Sequence, residues 1–440
     1  LDFGDYLTND DYNQAAPGFK EFCTSADGEP LVEPSSWHGT HVTGTIIGQG
    51  TANETASHNG VLGGASQARV IPVRVLGKCG GFISDVINGM MWAGGFELDG
   101  IPKNQHQAQI INLSLGSQGS CGEYFQDAIN QLTAHGILVV VAAGNSAEDV
   151  STTEPANCAN VISVAAVGPT NNLAYYSNYG AVTIAASGGD SDVSFNGGIW
   201  STIYTSTTGY GENGNCGNSS ACYGYTAYQG TSMATPHVVA ALADIMQVRQ
   251  NLSYDQARDL LRASATPFSG CNWGQTGCVG SGRLNANSLI NYVVNNVLVL
   301  RATPGALGFV GNQSSTASFS NLNPAPITIG KVEIIGPNAS NFKISSTSCS
   351  GTLAPNASCA VTLTPLNLQA NTAFAATLVV YNSSNQIIAQ VGLIPQSPTT
   401  PSSHGSGGGC SMIANGDDGT LTTILLAVAT LMWLRRNKTT

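Results

Sequence analysis

Between residues 70 and 166 the chain alternates short β-branched runs with amphipathic stretches. The runs fall at 70–75, 110–113, 137–142 and 161–166, and the period of the segments between them predicts helices at 84–93 and 124–134. Apolar runs without alternation suit strands covered on both faces, so the expected fold class is α/β: a doubly wound, mostly parallel sheet with helices on both faces. Helical patterns return at 232–248 and 254–263. Beyond residue 297 the pattern changes to period two, rich in Val, Ile, Thr and Ser, at 317–320, 327–332, 359–364 and 376–381. That spacing predicts a β-sandwich over 298–393.

The end of the chain reads differently again. Residues 394–419 are Pro/Ser-rich and then Gly-rich, a linker unable to make a core. Within 420–440 an uncharged stretch, Leu421 to Leu434, is followed by Arg435, Arg436 and Lys438. As a helix its length is ~21 Å against a hydrocarbon layer of ~30 Å. With nothing beside it to pack against, a terminal membrane or sorting segment is expected, its basic end inside.

Composition narrows the function classes. Charged residues make up 9% of the chain, against ~25% in an average globular protein, and the net charge is −11. No basic field exists to attract a phosphate backbone, so nucleic acid is excluded as a partner. The 42% apolar content is equally unlike a disordered chain. Eleven cysteines point to an oxidising compartment. Cys216 and Cys222, Cys271 and Cys278, and Cys349 and Cys359 are spaced as local staples, with Cys410 left odd in the Gly-rich tail. The start, Leu1-Asp2-Phe3-Gly4, has neither a basic n-region nor an apolar h-region, and a processed or truncated start is expected.

Candidate chemistry lies in two Gly-flanked segments. Ser36-Trp37-His38-Gly39-Thr40-His41-Val42-Thr43-Gly44-Thr45 sets an imidazole among small residues, and Gly230-Thr231-Ser232-Met233-Ala234-Thr235-Pro236-His237-Val238 sets a serine where a loop turns into a helix. A serine at a helix N-terminus has unpaired backbone N–H groups beside it for developing negative charge, and a histidine takes its proton near neutral pH. His41 and His237 suit structural roles, and Met233 suits core packing.

The two segments together resemble the histidine and serine signatures of the subtilisin-like serine peptidases. Three further stretches keep the family's chain order: Val61-Leu62-Gly63-Gly64-Ala65 with Val73-Arg74-Val75-Leu76, then Ile111-Asn112-Leu113-Ser114-Leu115-Gly116, then Val139-Val140-Val141-Ala142-Ala143-Gly144-Asn145. The resemblance covers 1–297, and Lys78-Cys79-Gly80-Gly81 with Ala156-Asn157-Cys158 resembles a secreted bacterial branch. It implies an extracytoplasmic endopeptidase acting on protein or peptide substrates, with Ser232 as nucleophile, His38 as general base and Asn145 as oxyanion donor. The pocket walls would be Ser114, Leu115 and Gly116 facing Ala142, Ala143 and Gly144. Their small apolar character leaves room for a large uncharged side chain, whereas Glu154 at the far end would favour a basic one. The triad carboxylate is expected upstream of Leu1, with Asp2 a weaker candidate. The alternative is a catalytically inactive, peptidase-fold binding or adhesive surface protein.

No cofactor is implied for the chemistry. Asp5, Asn9, Asp10 and Asp11 form either a structural calcium site or a solvated acidic turn, so the metal assignment stays open. The expected disulfides are Cys79 with Cys121, Cys271 with Cys278 and Cys349 with Cys359; the pairing of Cys23, Cys158, Cys216 and Cys222 stays open. In the second unit, Thr303-Pro304-Gly305-Ala306-Leu307-Gly308-Phe309, Asn341-Phe342-Lys343-Ile344 and Cys349 to Cys359 are similar to immunoglobulin-like modules of the choice-of-anchor D and ASPM/SPD-2/Hydin type, implying a spacer or adhesive role. The tail resembles GlyGly-CTERM sorting signals, implying a sorting protease as partner, transient membrane anchoring and a secreted, cell-surface or outer-membrane location.

Overall fold

The computed structural model describes residues 35–50, 60–77, 79–194, 197–204, 223–268, 281–309, 311–366, 368 and 375–395, with 13, 20, 23–24 and 412–413 as isolated positions. The first unit runs α1 (His38–Ile47), β1 (Gly81–Phe82), α2 (Ile83–Ala93), β2 (Ile110–Leu113), β3 (Ser117–Gln118), α3 (Glu123–Ala134), β4 (Leu138–Ala142), β5 (Thr153–Glu154), β6 (Ile162–Val167), β7 (Ile184–Ser187), β8 (Ile199–Tyr204), β9 (Tyr223–Tyr228), α4 (Thr231–Val248), α5 (Tyr254–Ser264) and α6 (Ala286–Val294). Strands β2, β4, β6 and β7 form a parallel sheet in that order.

Every residue of β4 is buried, and the pleat sends them to two cores. Leu138 and Val140 join Ile162 and Val164 under α4, α5 and α6. Val139 and Val141 join Phe125, Ile129 and Leu132 of α3 and Val86 and Met90 of α2 on the opposite face. A strand sandwiched this way needs no polar alternation, which is why its sequence reads as a continuous apolar run.

One expected strand is not formed. Among the described residues, 70–76 find no sheet partner, although Val73 and Val75 pack on the α2/α3 core while Pro72 and Arg74 face outward. Pro72 offers no N–H to a ladder, so the alternation records which face is buried, not a hydrogen-bonded edge. The pairing Cys79–Cys121 is corrected as well: Cys79 bonds Cys23, and Cys121 bonds Cys158. Cys121 and Cys158 precede α3 and β6, on loops the sheet topology brings to Cα–Cα 5.1 Å, within reach of one bridge. Cys349–Cys359 is present as expected. Cys216, Cys222, Cys271, Cys278, Asp2, the acidic Asp5–Asp11 segment and Leu421–Leu434 lie outside the described residues. Among the described residues no helix is long and apolar enough to cross a membrane, and no group of three His, Cys, Asp or Glu is placed to hold a metal.

The second unit stacks two sheets over one core. β10 (Arg301–Thr303), β12 (Ser315–Ser320), β16 (Ser358–Pro365) and β14 (Phe342–Thr347) form one sheet, and β11 (Ala306–Phe309), β18 (Ile387–Pro395), β17 (Ala376–Asn382), β13 (Ile327–Ile335) and β15 (Gly351–Leu353) the other. Phe319, Val361, Leu363, Leu378, Val380 and Val391 fill the space between them, and the Cys349–Cys359 bridge is buried among them. This unit docks on α5 and α6. Gln390, fully buried, donates to the carbonyls of Arg262 (2.5 Å) and Ala265 (2.8 Å) at the end of α5, where the Arg262 carbonyl otherwise has only a 3.3 Å bond from the Ala265 N–H. The Tyr292 hydroxyl donates to the Ile387 carbonyl at 2.7 Å.

Candidate active site

His38 is the first residue of α1 and Ser232 the second of α4, and the two helices pack against each other. The entry to α1 is fixed from outside: Tyr228 donates to the Ser36 carbonyl at 2.7 Å, and the His38 N–H donates to the Ser36 hydroxyl at 3.3 Å. Ser201 and Thr202 of β8 donate to the carbonyls of His41 (2.6 Å) and Thr40 (3.1 Å), and Gly44 lies so close to both that any side chain there would collide. The small residues of the first motif therefore let α1 lie flush against β8.

At the head of α4, Ser232 is buried. Its hydroxyl donates to the Ser114 carbonyl at 3.3 Å, a long bond, while the Ser114 hydroxyl donates to the Ser232 carbonyl at 2.8 Å. The expected pocket wall is thus tied directly to the candidate nucleophile.

A second set of bonds orients Asn145. Its Oδ1 accepts both the Thr231 N–H (2.9 Å) and the Thr231 hydroxyl (2.8 Å), and that hydroxyl in turn accepts the Gly144 N–H at 3.2 Å. With Oδ1 so occupied, the amide is assigned with Nδ2 toward the Gly230–Ser232 turn. A Cβ placed on Gly230 would stand 3.5 Å from Asn145 Nδ2 and 3.6 Å from Ser232 N. The Ser232 N–H lies in the first helical turn, where no intrahelical acceptor exists. Two N–H donors thus flank one small space beside Ser232, an arrangement suited to an oxyanion.

The opposite wall is held by Asn178, a residue that no motif or spacing in the chain marks out. This buried amide donates to the Ala143 carbonyl (2.9 Å) and Thr153 hydroxyl (2.8 Å) and accepts from the N–H groups of Ser146 (3.0 Å) and Glu148 (3.1 Å). Gly144, at φ 108°, lies against the same amide, so a side chain there would meet both backbone strain and a collision. Thr231 lies within the serine motif, yet nothing in the motif's pattern marks its bond to Asn145.

Glu154 closes the far end. Strand β5 pairs with β3, Ser117 opposite Glu154, and Gly116 packs on the Glu154 carbonyl. The buried carboxylate accepts the Ser117 hydroxyl and the Gly122 N–H, both at 3.3 Å. Both of its oxygens are thus engaged by the 117–122 segment.

His41 and His237 behave as structural residues. Nε2 of His41 meets the carbonyls of Ile199 (3.0 Å) and Thr226 (3.2 Å), so it carries the proton, and the ring stacks on Tyr228 at 4.5 Å. Nδ1 of His237 faces the Met233 carbonyl at 2.9 Å. Burial holds both below the ordinary histidine range, the carbonyl bonds oppose it in part, and the neighbouring His237 lowers His41 further.

The chain is similar to known proteins. The chain is 42% identical over 262 residues to the extracellular protease of Xanthomonas campestris pv. campestris, covering 59% of this chain and 41% of that protein. It is 41% identical over 268 residues to the extracellular basic protease of Dichelobacter nodosus, covering 60% and 40%. It therefore spans about two fifths of the length of these curated relatives. A solved protease structure from Pseudoalteromonas arctica superposes with a TM-score of 0.53 at 35% identity, over 66% of this chain and 76% of that one. Residues 7–297 match the model of the Subtilase family. With a subtilisin-like α/β fold and a family match over more than half its length, the chain belongs to the subtilase family.

Proposed function

We propose that the protein is an extracytoplasmic serine endopeptidase in which Ser232 attacks the scissile carbonyl, His38 takes and returns the proton, and Asn145 Nδ2 with the Ser232 N–H receives the oxyanion. The observation that carries this reading is the double hydrogen bond from Thr231 to Asn145 Oδ1, which leaves the amide donor free beside the Gly230–Ser232 turn. A donor held in place before reaction stabilises charge that appears only in the transition state, so it acts on turnover. The triad carboxylate is assigned to no described residue.

Between Ser114–Gly116 and Ala142–Gly144 we read a pocket for a large uncharged side chain. Glu154 already serves Ser117 and Gly122, so its carboxylate is spent on holding the pocket's end and not on a substrate cation. The organisation we infer is a peptidase unit at 1–297, an immunoglobulin-like spacer or adhesive sandwich at 298–393, a linker at 394–419 and a sorting segment at 420–440. Secretion is supported by the extracellular proteases among its relatives and by the disulfides.

Casein hydrolysis tests the activity. Wild-type protein should release peptides and Ser232→Ala should not. For specificity, peptide substrates with Phe or Leu before the cleaved bond should exceed their Lys and Arg counterparts in kcat/KM, and the reverse order would remove the reading of Glu154.

A further inference from the structure

A second feature lies at the junction of the two units and shares no residue with the candidate active site. Arg258, Arg262 and Arg301 gather there with Asp255 and Asp259. Arg258 pairs with Asp255 (3.1 Å) and Asp259 (2.7 Å), and Arg301 pairs with the same two carboxylates at 2.8 and 3.3 Å. Both acids are thereby used, and one positive charge is in excess.

Arg262 is that excess. Its guanidinium donates no hydrogen bond and joins no ion pair among the described residues, and Nε is buried without a partner. One face lies against Gly305, where a side chain would overlap it. Burial pushes the group down to about 10, with Arg258 adding repulsion and the attraction of Tyr254 and Asp259 opposing it only in part. A guanidinium has five N–H donors in a fixed fork suited to a carboxylate or phosphate, and enclosing it unpaired is unfavourable.

Arg262 also lines a groove of about 420 Å³ together with Tyr254, Ser163 and Thr183. Ser163 and Thr183 are buried, each hydroxyl accepts the other residue's N–H, and the two hydroxyls lie 3.4 Å apart. One bond between them uses one of their two protons, which leaves the other to be donated. Asp149 lines the groove as well, with Oδ1 engaged by the Ser151 N–H at 2.9 Å.

We propose that this groove binds a small oxyanion, a carboxylate or a phosphate, through the Arg262 guanidinium. The ligand neutralises the surplus cation and thereby stabilises the docking of the sandwich on α5.

Thermal unfolding of the whole chain in Tris chloride, titrated with inorganic phosphate and separately with acetate at ionic strength fixed by sodium chloride, tests this. A saturable rise in Tm of ~2–4 °C is expected with at least one anion, and the lower midpoint identifies which class binds. Arg262→Met should show no such rise and, having lost an unpaired cation, should unfold no lower than wild type in chloride alone. Arg262→Lys keeps the charge without the fork and should need at least tenfold more anion. No saturable rise with either anion, an equal rise in Arg262→Met, or an unchanged midpoint in Arg262→Lys would each overturn the proposal.

Discussion

Thr231→Val separates positioning from chemistry at the proposed oxyanion site. Valine keeps the shape of threonine but removes the hydroxyl that donates to Asn145 Oδ1 at 2.8 Å and accepts the Gly144 N–H at 3.2 Å. The Thr231 N–H still reaches Oδ1 at 2.9 Å, so one of two anchors persists. Loss of one such bond is worth about 1–1.5 kcal/mol, which is a roughly five- to tenfold fall in kcat if the whole effect passes through the amide. KM should stay within about twofold, because the oxyanion exists only in the transition state. Asn145→Ala removes the donor itself; removal of an oxyanion amide in a related subtilisin costs ~10²–10³ in turnover, and that borrowed range is the expectation here. The decisive assay is steady-state kinetics on the cycle. If Thr231 acts through Asn145, adding Thr231→Val to Asn145→Ala should lower kcat by no more than about twofold. A full five- to tenfold loss in that background, or a change confined to KM, would refute the reasoning.

Three further outcomes follow from other parts of the molecule. His41 and His237 sit below the ordinary histidine value of 6.5 in the folded protein, so the unfolded chain binds more protons below that pH. Their contribution is complete above 6.5 and is lost as pH falls toward the lowered folded values, at up to about 1.4 kcal/mol per pH unit for each; urea unfolding should show a shallower slope in His237→Gln, and an unchanged slope contradicts it. Removing the Cys121–Cys158 bridge with paired serines opens a separation of 37 residues, expected to cost about 4 kcal/mol on the chain-entropy account, read from chemical denaturation against wild type. Gln390→Leu removes the side-chain donor from the carbonyls of Arg262 and Ala265, leaving the first only its 3.3 Å bond from the Ala265 N–H, and at ~1–3 kcal/mol for an unsatisfied buried group it should lower Tm by several degrees while leaving kcat unchanged.

Much of the active-site account was legible because the relevant geometry is local. Gly230, Gly144 and Gly44 are required where backbones approach closely, and such glycines stand next to the functional side chains in the chain itself. The core strands were equally readable, since 110–113 coincides with β2 and 137–142 with β4 to within a residue. What sequence did not reveal depends on approach in space. Cys121 meets Cys158 and not Cys79 because the sheet order, not chain distance, brings the two loops together. Asn178 lies 30 and 32 residues from the two N–H groups it braces, with no pattern around it to mark the task. Arg262 reads as an ordinary polar position on an amphipathic helix, and only the docked sandwich encloses it. The run at 70–75 shows the reverse error, where an alternating pattern was satisfied by packing without pairing.

The central claim is that Ser232 is a nucleophile activated in place. A fluorophosphonate forms a bond only with such a serine, expelling fluoride, so the direct measurement is intact-mass analysis of the natural protein containing this sequence after treatment with the reagent, followed by peptide mapping. One adduct on Ser232, absent in Ser232→Ala and strongly slowed in a His38→Ala protein of unchanged circular dichroism, is the predicted result. A folded wild-type protein that gains no adduct, or gains it on another residue, would contradict the account.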